Sequence, residues 1–338
     1  FNKDALSRPA LGRVIDKIYI AKPPVEEVDF PKFFSYQSKY RLSNIADNIV
    51  YEGGFSMYGQ KIVGSAADSS PASIIIFHKG KPRLRLSAKR FIMNPVRITA
   101  GKARINFKIK EDSVFHPQIN FNYDQSEKTV VLSKSGVGLS ESPFYDSYHD
   151  MEIDIDQLIW MIEEDSVQMR MKINAINPAI FRSNDFFRTG EYDRLQSILD
   201  YHPLERIKRY KDTYNRTITS DKELASFFGN SVEYLQRLLI RLAREGFLIY
   251  YPDTGEIIIK DKVDHFVKSN EKKKDYDNIY FESVISARPN VKFNLLDGNM
   301  DVEGVGRVVL SDSQEVFVFP YDQKLQLNAN RDMTFNGQ

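Results

Sequence analysis

The segment DSYHDMEIDID, residues 146–156, combines five carboxylates with a serine, a tyrosine and a histidine. Strand alternation would place Asp150, Glu152, Asp154 and Asp156 on one face, with apolar side chains on the other. Four carboxylates on one face offer the oxygen ligands that Ca²⁺ prefers. The segment lacks the glycine-containing loop of a Ca²⁺ site, so we interpret it as a strand with one face in water and predict no metal.

The same segment contains Ser147 and His149, a pair that a hydrolase could use as nucleophile and base. No nucleophile elbow surrounds the serine, and successive carboxylates on one strand face stand about 7 Å apart, which is too far for direct proton sharing. The five histidines are scattered, and no spacing places two imidazoles on one face. We therefore predict a non-enzymatic protein without a cofactor, and keep a hydrolase or carbohydrate-active domain as an alternative.

Composition excludes some classes of protein. The 338 residues contain 47 Lys or Arg and 46 Asp or Glu, so a net charge of +1 gives no overall field for a polyanion, and a nucleic-acid site would have to be local. Cysteine is absent, which excludes disulfides and thiolate metal sites. The longest apolar runs, at 73–77 and 158–162, are shorter than the roughly 20 residues of a membrane helix. Trp160, within the second run, is expected in the core.

Two kinds of hydrophobic pattern divide the chain. From 40 to about 171, short β-branched and aromatic runs alternate with Gly, Pro, Asn, Asp and Ser, which is typical of strands joined by turns. After 182 the period becomes helical, and a capping box at Ser220 and Glu223 opens a helix that should end at Gly229. Asn230 and Glu233 are the start signal expected for the next helix, within 231–248, which should stop at Gly246.

Three predicted helices followed by a hairpin around Asp-Thr-Gly resemble a winged-helix domain over 204–266. The last of these helices would bury one apolar face and expose Arg237, Arg241 and Arg244, which a DNA-binding protein could present to a groove. Against that use, Glu233 and Glu245 lie one turn from two of these arginines.

The charge of the winged-helix-like segment also bears on DNA binding. Residues 204–262 contain eleven Lys or Arg and nine Asp or Glu, a net +2, and the hairpin offers Asp253 and Glu256 where phosphate contacts would need cations. Contact with protein is therefore the preferred interpretation. A DNA-binding winged-helix protein with β sensor or oligomerisation domains is the alternative.

The glycine-punctuated strands resemble the stacked-strand segments of large bacterial cell-envelope proteins, including those of lipopolysaccharide-transport type. This resemblance implies a structural or assembly role, in the periplasm or at the outer membrane, with the cytoplasm as the alternative. The expected partner is another protein or the remainder of a longer chain, in a membrane-associated assembly, and we expect this sequence to be a segment of such a chain. Nucleic acid is not an expected partner.

The predicted fold is α+β and mainly β, a strand-rich sandwich or stacked β-layers interrupted by a winged-helix-like module. The predicted parts are a lead-in strand and Pro-rich connector, a first β-rich domain, the helical module, a charged linker and a truncated second β-rich region. Their bounds are 1–39, 40–181, 182–268, 269–278 and 279–338. The strands near 325–336 should pair with the β region at 283–319 or with another chain.

Overall fold

The computed structural model describes residues 9–17, 30–37, 39–65, 71–173, 175–196, 200–271, 279–285, 288–311 and 314–338. Among these residues strands dominate and five α-helices lie between 189 and 270, which confirms the mainly-β α+β class. The connector prolines Pro23 and Pro24 and most of the charged linker lie outside the described residues.

The chain forms two compact units whose limits differ from the predicted domains. The first unit is Phe1–Ser135 with Gln157–Val167, and the second is Gly136–Asp156 with Gln168–Gln338. Residues 136–156 and 168–181, predicted in the first β-rich domain, thus belong with the helices and the last strands. Long-range strand pairing, which sequence spacing does not encode, accounts for this difference.

The first unit is built from antiparallel strands, most of them joined by tight turns. Its strands are β1 (Gly12–Ile15), β2 (Lys32–Ser35), β3 (Tyr40–Ala46), β4 (Ile49–Tyr58), β5 (Lys61–Ser65), β6 (Ala72–His78), β7 (Lys81–Ala88), β8 (Arg90–Met93), β9 (Arg97–Ile109), β10 (Asp112–Asp124), β11 (Thr129–Ser133) and β14 (Gln157–Met161). The β4–β6–β7–β9–β10 pairings form its centre.

Alternation along these strands separates a core face from an outward face. On β7 and β9 the inward residues, among them Leu84, Leu86, Ile105 and Phe107, have no exposed surface. Trp160 on β14 is also fully buried, as predicted, and its ring meets that of Phe107 edge-on at 5.2 Å. Apolar burial on alternate residues fixes the register of each strand, because a one-residue slip would expose the whole set.

The strands of the second unit come from distant parts of the chain. They are β12 (Phe144–Asp146), β13 (Met151–Asp154), β16 (Ala179–Ser183), β20 (Tyr280–Ser283), β21 (Val291–Asn294), β22 (Met300–Glu303), β23 (Val305–Ser311), β24 (Val316–Val318), β25 (Lys324–Leu327) and β26 (Met333–Thr334), while β15 (Ser166–Arg170) spans the division between units. β13 pairs with β16, β16 with β20, and β20 with β23. β25 pairs with β22 and β26, as predicted for this edge.

The helical module interrupts these strands in sequence. It contains α1 (Thr189–Gln196), α2 (Pro203–Tyr214), β17 (Ile218–Ser220), α3 (Asp221–Phe228), α4 (Val232–Arg244), β18 (Leu248–Tyr251), β19 (Glu256–Ile259) and α5 (Lys262–Asn270). The strands form a sheet of order β17–β19–β18. Neither β17 nor α5 was predicted.

Local capping sets the limits of the two central helices. Ser220 Oγ accepts the Glu223 N–H at 3.2 Å, and Gly229 ends α3 at φ +66°. The start of α4 corrects the prediction, because the capping side chain is Ser231, which accepts the Tyr234 N–H, and not Asn230. The helix ends at Arg244, and Gly246 follows at φ +83°, where the sequence predicted the stop.

Candidate functional site

Helix α4 presents a mixed surface at its N-terminal half. Leu235, Leu239 and Leu242 are buried in the module, as the helical spacing predicted. Glu233 and Arg237 are exposed on the other side, and Tyr234 between them is 59% exposed. This surface offers one anion, one cation and one aromatic ring.

The three arginines singled out in the sequence do not form one cationic site. Arg237 and Arg244 are exposed, whereas Arg241 is half-buried and its Nη2 donates to the Arg194 carbonyl at 2.5 Å. The expected pairing of Arg241 with Glu245 gives way to a contact between Glu245 Oε2 and Arg194 Nη2 at 3.7 Å. Glu245 is therefore paired with Arg194 of helix α1, whereas the sequence spacing predicted a pair within α4.

The C-terminal end of α4 is fastened to the strand-bearing part of its own unit. The Ala243 carbonyl accepts hydrogen bonds from Ser142 Oγ at 3.2 Å and Tyr145 OH at 3.3 Å. Lys262 Nζ donates to the Glu245 carbonyl at 3.0 Å. The last carbonyls of a helix have no partners within the helix, so these donors satisfy them and hold the helix end in place.

A buried ion cluster, formed by Glu152, Arg182, Lys260 and Lys262, lies beside that helix end. Glu152 on β13 has no exposed surface; its Oε2 is 2.6 Å from Lys262 Nζ and its Oε1 is 3.0 Å from Lys260 Nζ. Lys262 is only 4% exposed and lies near the Phe247 and Phe266 rings. The cluster thus ties the start of α5 and the end of β19 to β13.

The two signs of charge are unequal in number in the ion cluster, because one carboxylate faces three cations. Burial raises the pKa of Glu152, but Lys262, Lys260 and Arg182 outweigh burial and bring it to about 2. Burial lowers the pKa of Lys262 to about 8, because the attraction of Glu152 is partly cancelled by Arg182 and Lys260. Glu152 is therefore the group on which the charge balance of the cluster depends.

Acid should weaken the second unit through Glu152. Because the folded pKa lies below the ordinary 4.5, the ionised carboxylate contributes stability above pH 4.5, and this is lost as the pH falls toward 2. The loss for this group is on the order of 3 kcal/mol. Circular dichroism at 222 nm during urea unfolding should show it, and a Glu152→Gln variant should lack this component. A variant with the same pH slope as the parent would contradict the assignment.

Lys262 should change stability in the same direction, in mild alkali. Its folded pKa of about 8 lies below the ordinary 10.5, so the unfolded chain holds more protons between these values. The stability contributed by this group should therefore rise as the pH increases through that window.

The acidic segment does not behave as the one-sided strand that we predicted. Glu152 is buried against two lysines rather than facing water, because the helical module covers β13 there. Asp150 lies in a turn with φ +53° and accepts a hydrogen bond from Arg331 Nε at 2.6 Å. Asp156 accepts the Lys172 N–H at 2.9 Å. These carboxylates serve separate partners instead of converging on a cation with Asp154.

Chelation should leave this protein unchanged. Among the described residues, no group of three or more His, Asp or Glu is arranged to hold a metal ion. We expect the thermal midpoint to be the same with and without EDTA. A fall of several degrees that added Ca²⁺ reverses would show that the carboxylates of 150–156 bind a cation.

His149 belongs to a structural pair that sequence reasoning did not identify. Its Nδ1 lies 2.6 Å from Asp146 Oδ2, and both side chains are fully buried. Asp146 also accepts the backbone N–H groups of Tyr148 and His149, which makes the turn before β13. The second ring nitrogen, Nε2, has no hydrogen-bond partner, and the ring is packed against Tyr148 and Phe293. A fully buried imidazole cannot reach a substrate, so this pair organises the turn.

Comparison with known proteins adds no assignment. No family model, no curated protein and no solved structure matches the chain. The winged-helix and cell-envelope resemblances therefore stay predictions from the sequence. Within the described part of the chain, every helix is too short or too polar to cross a bilayer.

Proposed function

We propose that this chain is a non-enzymatic structural or assembly segment of a large bacterial cell-envelope-associated protein, acting through protein–protein contacts. The winged-helix-like module would be the contact element, held rigidly on the strands of its unit. The observation that carries the proposal is the anchoring of α4 and α5 by the buried ion cluster. A fully buried carboxylate bonded to two lysines of the module costs desolvation and is tolerated only in a well-fixed geometry.

Rigidity supports a contact role because ordering a surface before binding lowers the entropic cost of association. The Ser142 and Tyr145 hydroxyls hold one end of α4, and Lys262 caps it. The other end stays exposed. The helix thus presents its N-terminal half on a fixed support.

The exposed half of α4 suits protein better than DNA. A recognition helix commonly contacts base edges with its N-terminal residues, and here those positions include Glu233 beside Tyr234 and Arg237. An acidic residue in that place repels phosphate, whereas tyrosine and arginine are the side chains enriched at the energetic centres of protein interfaces. The balanced charge of the module agrees with this preference.

Site-specific photo-crosslinking tests the proposal. A photoreactive phenylalanine analogue at position 234, in cells that make the whole polypeptide, should give a discrete adduct that protease removes and nuclease does not. The matched control is the same analogue at Lys292, an exposed residue on β21 of the same unit. Equal adducts at both positions, no adduct at 234, or an adduct that nuclease removes would contradict a protein-contact role for α4. Fractionation of the same cells tests the envelope location, and recovery in the cytosol would refute it.

Reversing two charges on α4 should leave the fold intact. In Arg237→Glu combined with Arg241→Glu, an exposed charge and one hydrogen bond to the Arg194 carbonyl are lost. We expect the free energy of unfolding to change by about 1 kcal/mol or less. Collapse of folding would show a structural role for these arginines. Duplex-DNA binding that the two substitutions abolish would favour the DNA-binding alternative.

A further inference from the structure

Positive charge is concentrated in one stretch of the first unit. Residues 79–110 contain eleven Lys or Arg and no Asp or Glu, within a chain whose net charge is only +1. The remaining residues therefore hold 36 cations and 46 acids, a net −10. Near-neutral total charge conceals a strongly basic segment.

The pairing of β7 with β9 brings part of this charge to one surface. Arg85 lies opposite Asn106 and Ser87 opposite Arg104, while Arg83 Nη1 donates to the Lys108 carbonyl at 2.9 Å. The residues between them, such as Leu84, point into the core. We name the outward side chains of Arg83, Arg85, Arg104 and Lys108 the basic face. Neighbouring cations on one strand stand about 7 Å apart, and adjacent strands about 4.8 Å.

The basic face is open to solvent along β7 and β9. Arg85 and Lys108 are exposed, and Arg83 and Arg104 are half-buried. Rows of cross-strand partners run across the sheet through these cations. The register places small polar side chains on the same rows, namely Ser73, Ser87, Asn106 and Ser113. Among the described residues that pair along these rows, the acid is Glu52 at the far side of the sheet, which is 3.1 Å from Arg41. Asp165, near Arg83, is bound by His78 and Lys79.

We propose that the basic face binds a linear phosphate-bearing polymer laid across β7 and β9. Three of the four cations are arginines, whose planar guanidinium groups match phosphate oxygens in pairs. Serine and asparagine beside them can donate further hydrogen bonds. Half-buried Phe77 on β6 and Phe115 on β10 lie on the same face and could take stacked bases if the polymer is a single-stranded nucleic acid.

The surroundings favour a polymer over a membrane surface. Attachment to a bilayer commonly combines cations with apolar side chains that enter the headgroup region. On the rows of the basic face the large apolar residues Ile75, Phe77 and Phe115 are buried or half-buried. The proposed site lies in the first unit, so its test is independent of the function proposed for α4 in the second.

Fluorescence anisotropy with a labelled 12-residue oligothymidylate tests the proposal on the full chain. We expect salt-dependent binding that Arg85→Gln with Lys108→Gln weakens about tenfold at low salt. Losing two contacts should also reduce the steepness of log affinity against log salt by roughly 1.4. The matched control is Lys222→Gln with Lys292→Gln, which removes the same charge from exposed positions of the second unit and should change neither quantity. Thermal unfolding of both variants verifies that folding is retained.

Two competitors identify the polymer. Competition by inorganic polyphosphate at equal phosphate concentration would show recognition of the backbone alone, and oligothymidylate binding that polyphosphate does not displace would show that bases take part. Both results support the proposal. It is overturned if the parent does not bind either polymer, or if the two double variants lose affinity equally. It is also overturned if vesicles containing anionic lipid bind through Arg85 and Lys108 while both polymers fail.

Discussion

Replacing Glu152 by glutamine should lower the free energy of unfolding of the second unit by about 3–5 kcal/mol, because removing the anion leaves buried cations uncompensated. Lys262 and Lys260 each lose their carboxylate partner, and Lys262 has almost no access to water. All five described helices lie in this unit, so circular dichroism at 222 nm during urea unfolding follows the loss.

The composition of the ion cluster gives a more specific prediction. Substitutions of its different members should not destabilise the second unit equally. Lys262→Met removes a buried cation while Glu152 keeps Lys260 as a partner, so it should destabilise the unit much less than Glu152→Gln. The matched control is Glu163→Gln, whose pair with Lys128 has the same 2.6 Å separation but lies at the surface of the first unit, where the fluorescence of Trp160 follows unfolding. This control should have little measurable effect. Equal losses for Glu152→Gln and Glu163→Gln would mean that burial does not give the cluster its importance.

Replacing Phe107 by alanine should destabilise the first unit by about 3–5 kcal/mol, because it opens a large cavity in a packed core. Phe107 has no exposed surface, and its ring packs edge-on against Trp160 with centroids 5.2 Å apart. Trp160 is the single tryptophan in the sequence, so its fluorescence reports directly on this core during unfolding.

Val96→Ala is the appropriate control in the same unit, because Val96 is 61% exposed. Its substitution should change the free energy of unfolding by about 0.5 kcal/mol or less. If Phe107→Ala cost no more than this control, the β7–β9 core would not be packed as described. The support beneath the basic face would then be in doubt as well.

Features that depend on a few neighbouring residues could be predicted from the sequence. The Ser220 cap, the glycine ends of α3 and α4 and the Asp-Thr-Gly hairpin each depend on contacts within one turn, and each is present. The two elements that the sequence did not predict, β17 and α5, were missed because their local signals are weak. β17 has only three residues, too few to show alternation, and Asp261 makes no side-chain cap hydrogen bond at the start of α5.

The sequence by itself determined the mainly-β class, the capped helices and the burial of Trp160, because hydrophobic period and capping act over short distances. It also contained the charge concentration at 79–110, which an average over the whole chain hid. Only the tertiary structure decided that Glu152 is buried while Asp156 accepts a backbone N–H, since their sequence surroundings are alike. The same holds for Arg85 and Lys108, which share a surface through the register of β7 and β9. Pairing between distant segments sets these environments, and local sequence does not specify it.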